Sequence, residues 1–148
     1  MTDLPTDIEL RLRHLDMIQA VVARQGQNSF AVRGWSVTVV SAVFAVAVTQ
    51  DEAPRGTVLV ALAPTLIFWA MDAYYLWQER LFRSLYADAA RRAREGAGSE
   101  PDVKLFDLNT MPYRATVASW WRTLLQPTVV AIPAVLLVVV LVFWIWVG

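Results

Sequence analysis

Uncharged, mostly apolar stretches occur three times along the chain, and their lengths are the first guide to its fold. The stretch between Arg33 and Asp51 has 17 residues, and the one between Arg55 and Asp72 has 16. No charged residue follows Arg122, which leaves a third stretch of 26 residues. A helix that spans a membrane needs about 20 mostly apolar residues. The pattern therefore favours transmembrane helices over the core helices of a soluble domain.

Each stretch reaches the length of a span under a simple condition. The first is long enough if it starts at Phe30 and the Arg33 side chain extends to the membrane surface. The second is long enough if it includes Asp72 and continues to Trp77, and the third has no polar face to expose in a soluble bundle. The predicted fold is an all-α membrane protein with the segments 1–29 (cytoplasmic amphipathic helix), 30–50 (first transmembrane helix), 51–55 (external loop), 56–77 (second transmembrane helix), 78–122 (cytoplasmic helices and loop) and 123–148 (third transmembrane helix).

Basic residues are distributed unequally on the two sides of the predicted spans. The two predicted cytoplasmic segments carry nearly all of the lysines and arginines, the external loop carries only Arg55, and none follows the third stretch. Cytoplasmic loops of membrane proteins are enriched in Lys and Arg. The N-terminus is therefore predicted to be cytoplasmic and the C-terminus external. Trp35, Trp77 and Trp120 lie at the cytoplasmic ends of the three spans, where tryptophan is enriched at the membrane interface.

Both cytoplasmic segments have helical patterns. Apolar residues recur at three- and four-residue spacing from Ile8 to Val22, which is typical of an amphipathic helix. Its charges have mixed sign, which favours packing on another helix over binding to a membrane surface. In the second segment a helix continues to Arg94, a loop follows at 96–101, and Pro112 begins a further helix that leads into the third span.

Composition excludes much conventional enzymology. The chain has no cysteine and one histidine, so thiolate chemistry and multi-histidine metal sites are excluded. Thirteen basic and thirteen acidic residues give a net charge of zero, which argues against a strongly basic nucleic-acid-wrapping protein. No phosphate-binding loop, dinucleotide fingerprint or zinc spacing is present. We therefore expect a protein that is not an enzyme, needs no cofactor and has the lipid bilayer as its first partner.

Asp72 stands out because a carboxylate at membrane depth is costly and usually faces other helices or water. On a helix it shares a face with Glu79 and Arg83. Candidate partners on the first span and the helix leading into it are Arg33, Asn28 and Arg24. One interpretation is a structural salt bridge between helices, and a second is a pore or gate. A catalytic carboxylate is disfavoured because no second acid or nucleophile is spaced to help it.

Basic residues on the cytoplasmic side are candidates for binding an anion. They meet anionic lipid in the simplest interpretation. In an oligomer they could instead form a ring that holds a polyanion, although one chain has no net charge. The candidates are Arg24, Arg80, Arg91, Arg92, Arg94, Lys104 and Arg114.

Three segments resemble a family of small bacterial three-span proteins of antiphage defence, the membrane effectors of Hailong systems. They are residues 28–38 (NSF and RGWSVT), 68–86 (FW, D, YLWQERLFR and Y) and 120–127 (W, L and P). The resemblance covers the chain from about Leu10 to Leu137. It implies a bacterial inner-membrane protein, a tetrameric channel, and a nucleotidyltransferase partner that makes single-stranded DNA oligomers to control that channel.

Two functions follow from the residues and the resemblance. The first is a homo-oligomeric ion channel, with a tetramer favoured, that is gated by a nucleotide or a short DNA oligomer. Its opening would depolarise the cell and arrest growth in response to phage. The second is a membrane anchor or scaffold that regulates a partner protein and conducts no ions.

Overall fold

The computed structural model describes residues 6–49, 56, 59–95 and 106–146, and their regular structure is all helical. The all-α fold is thereby confirmed, without a strand in these ranges. The predicted external loop at 51–55 and the predicted loop at 96–101 lie outside the described residues. The helices are α1 (Asp7–Val48), α2 (Leu62–Glu95), a 3₁₀ helix (Met111–Ala115), α3 (Trp120–Leu124) and α4 (Pro127–Trp146).

α1 is one continuous helix that joins the predicted cytoplasmic helix to the first apolar stretch. A capping box starts it, because the Thr6 side chain accepts from the Glu9 amide while the Glu9 side chain accepts from the Thr6 amide. No proline interrupts its 42 residues. At about 1.5 Å per residue the helix is about 63 Å long.

α2 runs antiparallel to α1, and two hydrophobic clusters hold the helices together. In one cluster Ile18 of α1 packs with Leu85 and Ala89 of α2. In the other, Val40 packs with Ala61, and α4 joins them through Leu136 and Val140. Polar contacts lie between the two clusters, so each end of the helix pair has an apolar core of its own.

The entry into the last apolar helix differs from the sequence prediction. Pro112 begins only a 3₁₀ helix, and the helix predicted to continue from it into the third span is interrupted. α3 ends at Leu124, and α4 begins at Pro127 rather than at the predicted residue 123. Proline suits a first helical position because its missing amide hydrogen has no partner there in any helix. Pro133 lies inside α4 and is buried.

Within the described ranges, two helices are long and apolar enough to cross a membrane, namely α1 and α4. Core helices of soluble proteins share these properties, but only 22% of each apolar window is buried in this chain. The exposed residues include Phe30, Val138 and Ile145. Exposed apolar surface on this scale marks contact with lipid or with another protein.

Candidate functional site

Asp72 lies in the polar layer between the two hydrophobic clusters, and its carboxylate is bound by α1. The residue is 4% exposed. The Ser29 hydroxyl donates to Oδ1, and Nε of Arg33 donates to Oδ2 at 2.8 Å. A buried charge is tolerated when it is paired and hydrogen-bonded. Asp72 therefore faces α1, and both of its oxygens are used within one chain.

Glu79 and Arg83 form a separate ion pair further along α2. Nη2 of Arg83 lies 2.5 Å from Oε1 of Glu79, whose side chain is 11% exposed. Gly26 of α1 lies beside this pair, because a Cβ built there would be 3.7 Å from Oε2 of Glu79, an ordinary contact distance. The Asn28 side chain makes no hydrogen bond with another described residue. The predicted five-residue cluster is thus two clusters, Ser29–Arg33–Asp72 and Gly26–Glu79–Arg83.

Two of the predicted anion-binding residues, Arg91 and Arg92, pair with Asp88. The Asp88 carboxylate accepts from Arg91 at 2.5 Å, from Arg92 at 3.0 Å and from the Tyr113 hydroxyl at 2.8 Å. Burial acts to raise the pKa of Asp88, but these hydrogen bonds outweigh it and lower the pKa. Burial and the neighbouring carboxylate raise the pKa of Tyr113 to about 12. Asp88 thereby connects α2 to the 3₁₀ helix.

The other predicted basic residues have different surroundings. Arg80 donates to the Thr123 hydroxyl at 3.4 Å and to the Gln126 side chain. The Arg114 guanidinium lies 5.4 Å from the centre of a Trp77 ring. Three candidates remain: Arg24 and Arg94 are exposed, and Lys104 lies outside the described residues.

His14 is a buried contact that the sequence analysis did not identify. It is 4% exposed, and its Nδ1 accepts from the backbone amide of Phe106 at 3.1 Å. Phe106 has a φ of 70°, which is uncommon outside glycine. Burial lowers the pKa of His14, and the negative charge of Asp107 offsets part of that effect. His14 lies one turn before Ile18, and that four-residue spacing is the signal that could have revealed its burial.

Acidification is expected to destabilise the contact between α1 and the segment at Phe106. Because the pKa of His14 lies below its usual 6.5 in the folded protein, the unfolded chain takes up the proton first. The contribution of neutral His14 to folding stability is fully present above about pH 6.5, and it is lost as the pH falls through the lowered pKa of the folded protein. A protonated Nδ1 cannot accept the Phe106 amide, which costs about 1 kcal/mol.

Thermal unfolding in detergent between pH 7.5 and pH 5 measures this loss. Because His14→Gln removes the titrating ring, the variant should show a smaller decrease over the same interval. Equal decreases in the two proteins would contradict a role for His14.

A stripe of small and polar residues runs along the exposed side of α1. A helix turns about 100° per residue, so the stripe occupies an arc of about 80°, roughly opposite the face that packs on α2. Thr38 donates its hydroxyl to the Gly34 carbonyl at 3.0 Å, and Thr49 donates to the Val46 carbonyl at 2.8 Å. The hydroxyl oxygens keep free acceptor capacity. The stripe consists of Gly34, Thr38, Ser41, Ala45 and Thr49, all exposed.

Comparisons with known proteins give no relative for this chain. No protein-family model matches, and neither a curated protein nor a solved structure matches. Within the described ranges, no group of three or more His, Cys, Asp or Glu side chains could hold a metal ion. Functional assignment therefore rests on the chain's own residues and on the sequence resemblance.

Proposed function

We propose that the protein is an oligomeric membrane effector of bacterial antiphage defence: an ion channel controlled by a nucleotide or a short single-stranded DNA oligomer. Its opening would depolarise the inner membrane and arrest growth. The observation that carries the channel part of the proposal is the exposed stripe from Gly34 to Thr49, since it lies in a helix apolar enough to cross a membrane. The defence role and the nucleotide or DNA ligand rest on the sequence resemblance. Exposed hydroxyl groups in such a segment suit water or another helix better than lipid.

In the proposed oligomer the α1 helices of several copies, with four favoured, surround a central axis. Small residues let transmembrane helices approach closely, and hydroxyl oxygens along the axis can line a path for ions. α4 then faces lipid, in keeping with its exposed Val135, Val138 and Val142. In this arrangement the polar stripe of α1 faces other copies and water, and the exposed valines of α4 face lipid.

α2 supplies the second of the three spans in this proposal, and within the predicted segment 56–77 it covers Leu62 to Trp77. Its obstacle is Asp72, but pairing with Arg33 and Ser29 reduces the cost of a carboxylate at membrane depth. With three spans, a cytoplasmic N-terminus leads to an external C-terminus. The clusters at Ile18 and at Asp88 then lie on the cytoplasmic side.

Ligand control is proposed to act through the cytoplasmic ends of the helices. A ligand shifts a closed–open equilibrium only through its different affinities for the two states. An oligonucleotide that bridges several subunits can supply that difference when the subunits move apart. Arg24 and Arg94 suit this role because both are exposed, whereas Arg92 is held by Asp88 and Arg80 by α3.

Ion flux from liposomes containing the purified protein tests conduction, with and without oligonucleotide, because the ligand could open or close the channel. Detergent-solubilised protein should have the mass of an oligomer, with a tetramer expected. A monomer would contradict the proposal, since one chain cannot enclose a pore. Flux equal to that of empty liposomes under both conditions would contradict conduction.

The ligand site can be tested separately with the double variant Arg24→Gln/Arg94→Gln. A charge-assisted contact contributes about 1.5–3 kcal/mol, so the variant should bind a short DNA oligomer at least roughly tenfold more weakly. Wild-type binding should also weaken steeply with salt. Arg122→Gln is the control, because it removes an exposed arginine near the predicted membrane surface. Equal affinity in all three proteins would remove Arg24 and Arg94 from the site.

A non-conducting anchor or scaffold is the second candidate, and one observation favours it. Both carboxylate oxygens of Asp72 accept hydrogen bonds from Ser29 and Arg33 of the same chain, which is the arrangement expected of a structural salt bridge. Such a protein would form the same packed helices without a path for ions. An intact oligomer that gives no flux with or without oligonucleotide would select this function.

A further inference from the structure

The acidic residues of α2 form ion pairs with arginines of α1 and α2, so they are not partners for the arginines near the start of α4. Asp72 pairs with Arg33, Glu79 with Arg83, and Asp88 with Arg91 and Arg92. Asp107 is the last acidic residue of the sequence, and residues 108–148 contain two arginines and no carboxylate. Positive charge therefore accumulates where the chain enters its most apolar helix.

Three arginines meet at this entry. Arg114 lies over Trp77, and Arg80, about one turn further along α2, reaches Thr123. Arg122 immediately precedes Thr123 and is exposed. None of the three forms an ion pair with an acidic residue in the described part of the chain. We call residues 111–126, with Arg80, the basic corner.

Large apolar side chains are exposed on the basic corner beside these charges. Trp121 is 68% exposed and Leu125 is 70% exposed. The Trp120 and Trp121 rings pack edge to face with centroids 4.4 Å apart. Their place is fixed by α2, because Nε1 of Trp69 donates to the Leu124 carbonyl at 3.1 Å. Exposed aromatic and aliphatic groups next to uncompensated arginines match the boundary between phosphate headgroups and acyl chains.

We infer that the basic corner binds the phosphate headgroups of anionic phospholipids. Arg114 and Arg122 contact the phosphates, while Trp121 and Leu125 lie among the upper acyl carbons. Arg80 positions the corner through Thr123 and Gln126. A nucleic acid would satisfy the arginines but would leave Leu125 in water, so lipid is the better match. The inference rests on the membrane insertion proposed above, and it adds a lipid preference that insertion alone does not require.

Native mass spectrometry of the full-length protein, released from detergent, can count retained lipids. The protein is supplied with equal amounts of phosphatidylglycerol and phosphatidylcholine. We expect wild type to retain phosphatidylglycerol preferentially and Arg114→Gln/Arg122→Gln to lose the preference. An arginine near an anionic surface contributes roughly fivefold in affinity, so the pair should contribute about thirtyfold. Arg13→Gln, compared with Arg122→Gln alone, removes one charge from an exposed position of α1 and should keep the preference.

Each other outcome overturns the inference in an identifiable way. Wild type without a preference, or a basic-corner variant that keeps it, shows that the corner does not select anionic lipid. Displacement of phosphatidylglycerol by a short DNA oligomer shows that the corner is a nucleic-acid site instead. Arg122→Glu, which leaves Arg114 on Trp77, should lose the preference as well if the site is correct. Extraction of cell membranes with alkaline carbonate distinguishes failure of the lipid inference from failure of the proposed function. Protein found in the supernatant would contradict membrane insertion itself, whereas protein that stays in the pellet limits the failure to the lipid preference.

Discussion

Replacing Asp72 by leucine is expected to destabilise the α1–α2 pair by about 3 kcal/mol. The substitution leaves the Arg33 guanidinium, whose side chain is only 29% exposed, without its carboxylate, and it removes the acceptor of the Ser29 hydroxyl. Breaking a buried pair by removing one partner typically costs about 3–5 kcal/mol. The lower end applies because Arg33 keeps some contact with solvent. Unfolding by sodium dodecyl sulfate, followed through tryptophan fluorescence in mild detergent, measures the loss.

Two further variants identify the source of the effect. Asp72→Asn keeps the shape and one acceptor oxygen, so it should cost only about 1 kcal/mol, the difference between a charged and a neutral hydrogen bond. Asp16→Leu makes the same change as Asp72→Leu at an exposed position of α1 and should stay within about 0.5 kcal/mol of wild type. A leucine at position 72 that is as stable as wild type would show that this carboxylate does not hold the helices together.

Thiol labelling of Thr38→Cys is expected to stop conduction almost completely. The chain has no cysteine, so a single introduced thiol is the only target for a charged thiol reagent. With a positively charged reagent, each copy carries one cationic adduct. If Thr38 faces a central axis, the adducts of several copies together obstruct the path for ions. Flux from liposomes before and after labelling measures the block.

Val46→Cys is the matched control, because Val46 is 57% exposed on the same helix but lies about 100° around it from the centre of the stripe. Labelling there should leave flux nearly unchanged, since the adduct projects away from the axis. Block at Val46 with no effect at Thr38 would place a different face of α1 on the path. Oxidation of Ala45→Cys adds a second measurement, because neighbouring copies should then form disulfide-linked dimers.

Periodic features of the chain were the most predictable part of the fold. The apolar spacing around Ile18 indicated helix packing, and the structure places Ile18 against Leu85. Asp72 was identifiable because it is the one carboxylate within an apolar stretch, and Arg33 was nearby on the preceding helix. A carboxylate buried between two long helices has few potential partners, so that pair could be anticipated.

Contacts between residues far apart in the chain could not be read from spacing. His14 packs against Phe106, which lies 92 positions later, and no local pattern specifies that partner. Asp88 was passed over because a charge on an exposed-looking helix normally faces water, yet Tyr113 and two arginines converge on it. Pro127 predicts a kink at the entry to the last helix, but the full break between Leu124 and Pro127 does not follow from the sequence, since the residues on both sides of it favour a helix.

The length of α1 without a hinge has a mechanical consequence. Ile18, in the cluster with Leu85 and Ala89, and Thr38, in the exposed stripe, belong to the same helix, so turning one end of a rigid α1 about its axis turns the other end by an equal angle. Side chains reach roughly 5–6 Å from that axis, so a rotation of about 40° moves the Thr38 hydroxyl sideways by about 4 Å. That displacement exceeds the roughly 2.8 Å diameter of a water molecule. In the proposed channel, such a rotation of α1 near Ile18 would exchange hydroxyl groups for valine side chains on the central axis about 30 Å further along the helix.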